Sequence, residues 1–251
     1  MRLAIMQPYL FPYIGYFQLI NAVDKYILYD ELTFIKDAWI NRNRLLNKGQ
    51  NKADYFTIPL ESKSSNKKIN QIKISDQFDW KRKFLNKVYL NYKRAPYFDE
   101  VYYFIETMIS SEVDYISDFN KKSIIRICDF LDIDTLISTT ESYFDSVEND
   151  IKEMEFKKGI DPIEYPIKVL RVLEFCKNES ANEFYNSIGG KSLYSKETFR
   201  KNNIDLSFIK TDEIHYTQFG NPFVPSLSII DVMMFNSKDE IQRLLDCYSL
   251  E

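Results

Sequence analysis

His215 is the only histidine in the chain. It is the one side chain whose ordinary pKa makes it a general base near neutral pH. It opens the run His215-Tyr216-Thr217-Gln218-Phe219, and Phe223-Val224-Pro225-Ser226-Leu227-Ser228-Ile229-Ile230-Asp231 follows. Base catalysis is the chemistry this residue offers; a histidine packed for structure is the alternative. Ser228, three residues before Asp231, reads as a helix cap, a capping box with Asp in place of Glu. A second set lies in Met6-Gln7-Pro8-Tyr9-Leu10-Phe11-Pro12-Tyr13-Ile14-Gly15-Tyr16-Phe17. Two prolines stiffen this turn, and Gln7 brings two donors and an acceptor. Rings such as Tyr13 and Tyr16 can stack on a sugar or base, or the whole turn is packed core. A third set is Trp39-Ile40-Asn41-Arg42-Asn43-Arg44. Arginine is the preferred fork for phosphate or carboxylate, and flanking amides direct hydrogen bonds. If Asn41 and Asn43 share a strand face, Arg42 points the other way; in an irregular segment all three converge. A solvated strand edge explains the same residues. In the fourth set, Tyr185-Asn186 to Tyr194, Gly189-Gly190 either lets the backbone approach a ligand or marks a plain turn.

Composition narrows the function classes. The 251 residues are 45% hydrophobic, 16% aromatic and 28% charged, which suits a folded globular chain. A net charge of −4 leaves no footprint for duplex nucleic acid. Lys63, Lys67, Lys68, Lys81, Arg82 and Lys83 still form a local basic supply. Three cysteines without a C-x-x-C pattern fit a reducing cytoplasm. Cys176, on the apolar face of its helix, reads as inert packing. With one histidine, no metal site and no metal cofactor are expected. The six glycines form no G-x-G-x-x-G and no Walker A loop, and no G-x-S-x-G elbow is present. No apolar run reaches membrane-spanning length, and Pro8 and Pro12 interrupt any leader-like start.

The elements that must position these residues begin with a strand at Leu3 to Met6. A helix over Phe11 to Val23 has Pro12 in its first turn, and a strand at Lys25 to Tyr29 follows. This is a βαβ unit, so Gln7 to Phe11 and Asp30 to Lys36 fall at the carboxyl edge of a parallel sheet, where ligands bind. Strands are expected at Tyr55 to Leu60 and Ile69 to Ile74, with helices over Trp80 to Lys93, Phe98 to Ile109 and Val113 to Leu131. Thr135 to Ser138 reads as a strand. The stretch 145–166 reads as a polar connection or flap. A helix at Ile167 to Cys176, strands at Glu183 to Tyr185 and Leu206 to Ile209, and helices at Lys196 to Asn202, Leu227 to Phe235 and Asp239 to Cys247 complete the chain. The fold class is therefore α/β, with a Rossmann-like βαβ start, a mostly parallel sheet and an added helical region. The expected division is 1–78 and 166–251 as two parts of one α/β domain, with 79–165 as a mostly helical insertion or cap.

Phe11-Pro12-Tyr13-Ile14-Gly15-Tyr16 is similar to the Phe-x-Pro-x-His-x-Gly-His turn of Rossmann-like nucleotidyltransferases, with tyrosines in place of both histidines. A phenol cannot replace a charged imidazole on a triphosphate, so only the shape is shared. The chain as a whole resembles the WbqC-like family. The likeness runs from Met6-Gln7-Pro8-Tyr9-Leu10-Phe11-Pro12 to Ile20 and through Trp39-Ile40-Asn41-Arg42-Asn43 and Ala95-Pro96-Tyr97-Phe98. It continues in Tyr185-Asn186, Gly189-Gly190 and Leu193-Tyr194, then Tyr216-Thr217-Gln218 and Leu227-Ser228-Ile229-Ile230-Asp231. The resemblance implies a cytoplasmic transferase of bacterial surface-polysaccharide (O-antigen) biosynthesis, N-acylating or aminoacylating, with glycine, a nucleotide-linked amino sugar. On that reading His215 is the base. Gln7, Asn41 and Asn43 bind the sugar or a developing oxyanion, and Arg42 holds a diphosphate. Tyr13 and Tyr16 stack on the ligand, and Asn186 and Gln218 complete the substrate-binding set. The partners are then the nucleotide-linked amino sugar and an acyl or aminoacyl donor, a charged tRNA among the candidates, with no membrane insertion. Two alternatives stand beside it: a non-catalytic nucleotide-sugar binding module of a pathway complex, and a nucleotidyl or adenylate-forming enzyme.

Overall fold

The computed structural model describes residues 1–140, 143–158, 165–220 and 222–251. The opening unit is a strand β1 (Arg2–Met6), a helix α1 (Ile14–Asn21) and a strand β2 (Lys25–Leu28). β1 and β2 pair in parallel, Leu3 opposite Lys25 and Met6 opposite Leu28, as the βαβ reading requires. Pro12 lies outside α1. Tyr13 is the N-cap, without a side-chain hydrogen bond, so the helix begins three residues after the expected start at Phe11. A hairpin follows, β3 (Arg42–Asn47) with β4 (Lys52–Thr57), and forms a separate two-stranded antiparallel sheet.

Three helices come next: α2 (Trp80–Tyr92), α3 (Phe98–Ile109) and α4 (Ile116–Phe130). The strand expected at Ile69 to Ile74 is not formed. Ile69–Gln71 is a 3-10 turn, and Ile74 makes only an isolated bridge to Leu60. Its buried side chains, Ile69, Ile72 and Ile74, do not keep the alternation of a strand. β5 (Leu136–Thr139) returns to the main sheet beside β2. The stretch read as an unpatterned connection contains a helix, α5 (Phe144–Lys158), whose Phe144, Val147 and Ile151 form one buried stripe. Residues 159–164 of that stretch lie outside the described residues.

The remainder is α6 (Ile167–Asn178), β6 (Glu183–Ser187), α7 (Lys196–Lys201), β7 (Asp205–Thr211), α8 (Ile229–Phe235), α9 (Lys238–Leu245) and a short last strand β8 (Tyr248–Leu250). The six-stranded sheet has the order β5-β2-β1-β6-β7-β8 and is parallel except for β8. The α/β, mostly parallel Rossmann-like reading is borne out. From β1 the chain builds outward through β2 and β5, then returns to start the other half at β6. The crossover direction thus reverses between β1 and β6, and the crevice outside their carboxyl ends is where such sheets bind ligands.

Side chains alternate across the strands and feed two cores. Ala4, Tyr26, Leu28, Tyr185 and Ile209 face a large core shared with α1 to α4, α8, α9 and the hairpin. Leu3, Ile5, Ile27, Tyr29, Phe184, Leu206 and Phe208 face a second core under α5, α6 and α7. The range 79–165 thus contributes helices to both faces and β5 to the sheet itself. Burial pushes the Cys128 thiol up and the Cys176 thiol up to about 12, whereas Cys247 is only part-buried. A thiolate is the reactive form. At pH 8 a thiol reagent should therefore label one cysteine quickly in the native protein and three after denaturation.

Candidate functional site

The turn after β1 is buried backbone, and side chains from distant elements satisfy it. Asn43 Nδ2 donates to the carbonyls of Leu10 and Phe11 at 2.9 and 2.8 Å. Asn120 Nδ2 donates to Pro8 and Ile40 at 2.9 and 2.8 Å. Ser228 Oγ donates to the Phe11 carbonyl at 2.8 Å and accepts from Ile230 N–H. Phe11 is held at φ 41°, a left-handed conformation rare for an aromatic residue. Its ring lies fully buried and stacked on Phe84 at 5.7 Å. The strained turn is over-determined by these partners, and it sets Gln7, Tyr9 and Tyr13 along the carboxyl edge of the sheet.

Three adjoining clefts run along that edge. The first, of about 490 Å³, lies at the reversal point between β1 and β6. Gln7, Tyr9, Tyr29, Asn186, Gly189, Gly190, Lys168 and Arg171 line it. Asn186 is 94% buried by its 6% exposure; its Oδ1 accepts from Ser187 N–H at 2.7 Å. A Cβ on Gly190 would sit 3.0 Å from Asn186 Cγ, so the glycine gives this amide its room. Tyr29 Oη is buried without a hydrogen-bond partner among the described residues. Arg171 is held by Glu148 through two hydrogen bonds, and its guanidinium draws the Glu148 carboxyl below its ordinary value.

Tyr9 leads into the second cleft, of about 400 Å³, with Pro12, Tyr13, Trp39, Asn43, Arg44 and Ser226. Tyr13 and Ser226 lead on to the third, of about 320 Å³, at the end of β7, where Asp212, Glu213, His215, Tyr216 and Phe223 converge. His215 Nε2 is 2.9 Å from Glu213 Oε1, and its ring packs 5.0 Å from Phe223. A carboxylate at Nε2 accepts a hydrogen bond from Nε2–H, and in that tautomer the lone pair lies on Nδ1. The groove therefore changes charge along its length, from Lys168 and Arg171 through Arg44 to the carboxylates around His215.

A model of the WbqC-like protein family matches residues 7–243. The chain belongs to the WbqC-like family. The uncharacterized protein Rv1507c of Mycobacterium tuberculosis is 26% identical to it over 238 residues, covering 94% of this chain and 93% of that protein. No solved structure matches the chain.

The residues singled out in this WbqC-like sequence divide into two groups. Gln7, Tyr13, Asn186 and His215 line the groove. Asn43 reaches its floor, but with both amide hydrogens committed to the turn. Tyr16 is buried against Tyr9, Phe17 and Tyr26 and donates to the Gln7 carbonyl at 2.9 Å. No face of its ring is open to a ligand, which corrects the stacking role expected for it. Asn41 Nδ2 donates to Ile58 O at 2.8 Å and ties β3 to the segment after β4. Of the two readings of Asn41 to Asn43, the strand one holds: both amides point inward and Arg42 outward. Arg42 pairs with Asp37 and lies over Tyr55, away from all three clefts. Gln218 is spent on Val224 and on Asp231.

Arg44, two residues beyond Arg42 on the same strand face, is the arginine that lines the groove. Period-two spacing from Arg42 was the signal that could have found it. Lys168 and Arg171 lie on the polar side of α6, whose apolar stripe alone draws attention in the sequence. Ser228 caps α8, but Asp231 does not close a capping box; it accepts from Tyr92, Tyr216 and Gln218 instead.

Gly15 shows how tightly the groove wall is set. A Cβ there would meet Tyr13 Cε2 at 2.4 Å and Thr211 Oγ1 at 2.5 Å. The Tyr13 ring lies across the first turn of α1 and separates the second cleft from the third. It is 39% exposed, and its hydroxyl is tied to Thr211, whose Oγ1 donates to the buried Gln18 Oε1 at 2.7 Å. Gly15→Ala is therefore expected to displace both the ring and Thr211 and to reshape both clefts, at a cost of about 1–3 kcal/mol in stability. Thermal melting compared with ligand titration checks this; a large loss of melting temperature with unchanged affinity would contradict it.

Proposed function

We propose that this WbqC-like protein is a transferase of bacterial surface-polysaccharide (O-antigen) biosynthesis that N-acylates or aminoacylates a nucleotide-linked amino sugar. The observation that carries the reading is the order of groups along the groove. The nucleotide is assigned to the cleft between β1 and β6, near Lys168, Arg171 and the amides of Gln7 and Asn186. Tyr9 and Tyr13 offer faces to the sugar, with Arg44 beside them for the diphosphate. The amine then falls among Asp212, Glu213 and His215.

Those groups suit an amino group as nucleophile. An amine reaches neutral pH as an ammonium ion, which nearby carboxylates attract. It must lose a proton before it attacks a carbonyl. His215 Nδ1 accepts that proton, and Glu213 holds the ring and balances the imidazolium charge. The expected compartment is the cytoplasm, in keeping with three free thiols.

A binding module without catalysis is the second reading. The 60% exposure of the His215 side chain favours it, since base catalysis is usually sheltered from water. The test is to incubate the protein with a dTDP-linked 4-amino-4,6-dideoxyhexose and, in parallel, acyl-CoA, glycine with ATP, or glycyl-tRNA. Mass spectrometry of the sugar nucleotide is the readout. A product heavier by an acyl or glycyl group supports the transferase. No product, with the sugar nucleotide still raising the melting temperature, supports the module. Neither product nor binding overturns the nucleotide-sugar reading.

A further inference from the structure

At the edge of the groove, the hairpin and the turn before it carry two stacked rings flanked by guanidinium groups. Arg44 lies 5.5 Å over Trp39, Trp39 stacks on Tyr55 at 6.4 Å and 19°, and Arg42 lies 5.1 Å over Tyr55. Trp39 is 37% exposed and Tyr55 48%. Both arginines are fixed in place, Arg44 by Ser226 O at 2.8 Å and Arg42 by Asp37. One end of the stack, Trp39 with Arg44, is also the wall of the second cleft.

We infer that this stack docks the single-stranded end of an RNA, and that the acyl donor is an amino acid esterified to that end. Aromatic faces and guanidinium planes are what unpaired bases stack on, and Arg42, outside the clefts, is the guanidinium that meets a phosphate while Arg44 stays with the sugar nucleotide. A duplex buries its base faces, so the stack discriminates against it, and the net charge of −4 provides no general attraction for one. Neutral glycans also use aromatic faces, but two guanidinium groups built into the stack match a polyanion better.

Continuity of Trp39 and Arg44 with the groove brings the RNA terminus to the sugar amine. There the amine nitrogen bonds to the ester carbonyl carbon as the carbon–oxygen ester bond breaks. The amide product forms as His215, its first proton released to solvent, takes the proton the nitrogen sheds after attack and passes it to the terminal ribose oxygen, which leaves as a hydroxyl. No oxidant or further co-reactant is needed. This donor assignment rests on the transferase reading above; the docking surface does not.

The test is fluorescence anisotropy of an end-labelled eight-nucleotide RNA finishing in CCA. The comparisons are a duplex RNA, a sulfated polysaccharide and a neutral oligosaccharide. Melting-temperature shift by the nucleotide-linked amino sugar is measured separately on every protein. The wild type should bind the single strand more tightly than the other three. Tyr55→Ala, which touches none of the clefts, should weaken it roughly five- to 150-fold, the range for loss of one stacked base. That variant should keep the melting shift given by the sugar nucleotide. Trp39→Phe should retain most of the RNA affinity, and Trp39→Ala should not. No binding, equal binding of the duplex or sulfated polymer, or unchanged affinity in a folded Tyr55→Ala would overturn the inference. RNA binding at the stack with no response to the sugar nucleotide would uphold the surface and reject the transferase reading alone.

Discussion

Replacing His215 with alanine is expected to lower the transfer rate by about 10²- to 10⁴-fold, the usual contribution of a positioned general base. Affinity for the nucleotide-linked sugar should change by less than about threefold, because the groups assigned to the nucleotide lie two clefts away. The separation follows from the layout. His215 sits at the end of β7, whereas Gln7, Asn186 and Lys168 surround the ends of β1 and β6. Glu213→Gln should lie between, at about tenfold, because the ring loses its charge partner and keeps a hydrogen bond. Single-turnover rates beside equilibrium titration measure both quantities. An unchanged rate in the alanine variant would remove His215 from the chemistry.

Asp231→Leu is expected to cost about 3–5 kcal/mol of folding stability, since it strands several buried donors at once. The carboxylate, fully buried at the start of α8, accepts from Tyr92 Oη, Tyr216 Oη and Gln218 Nε2, each at 2.7 Å. Tyr92 Oη in turn accepts from Leu46 N–H at 2.8 Å, so the network joins α8, α2 and β3. It also anchors the segment that carries His215. For a chain of this size the loss corresponds to a fall of roughly 6–20 °C in melting temperature. Asp231→Asn, which keeps one acceptor oxygen, should fall by less than half as much.

The pH dependence has a definite sign. Burial pushes the Asp231 carboxyl above its ordinary value, with the three donors pulling it back. The folded state then holds the proton to higher pH than the unfolded state. Stability from this group falls as pH rises from the ordinary carboxylate value through the raised one. The gap between wild type and Asp231→Asn should therefore narrow across that window. A gap that widens with rising pH would contradict the assignment.

The fold was largely legible because its strongest signals are local. Leu3 to Met6 and Lys25 to Tyr29 are short apolar runs around a helical spacing, and β1, α1 and β2 follow from them. Signals spread over few residues were lost. Among its described side chains the helix α5 buries Phe144, Val147 and Ile151 amid many charges, so its stripe is thin. The strand β8 is three residues long and exists by pairing with β7. At the site, the sequence marks which residue types matter but not which way they face. Tyr13 and Tyr16 are three apart on one turn, yet one walls the groove and the other is core. The amides Asn41, Asn43 and Gln218 have the chemistry of ligand binding and spend it on backbone and on Asp231. Only the tertiary fold decides between those uses. Arg171 shows the reverse, since a helix far along the chain brings it to the end of β1.

The central claim is that one groove holds a nucleotide-linked amino sugar, nucleotide at the β1–β6 end and amine at His215. A crystal structure of the protein soaked with the dTDP-linked 4-amino sugar tests it most directly. Density for the nucleoside is expected between Gln7, Asn186 and Gly190, with the amino nitrogen within hydrogen-bond distance of His215 or Glu213. Density for the nucleoside elsewhere, or an empty groove at a saturating concentration, would contradict it.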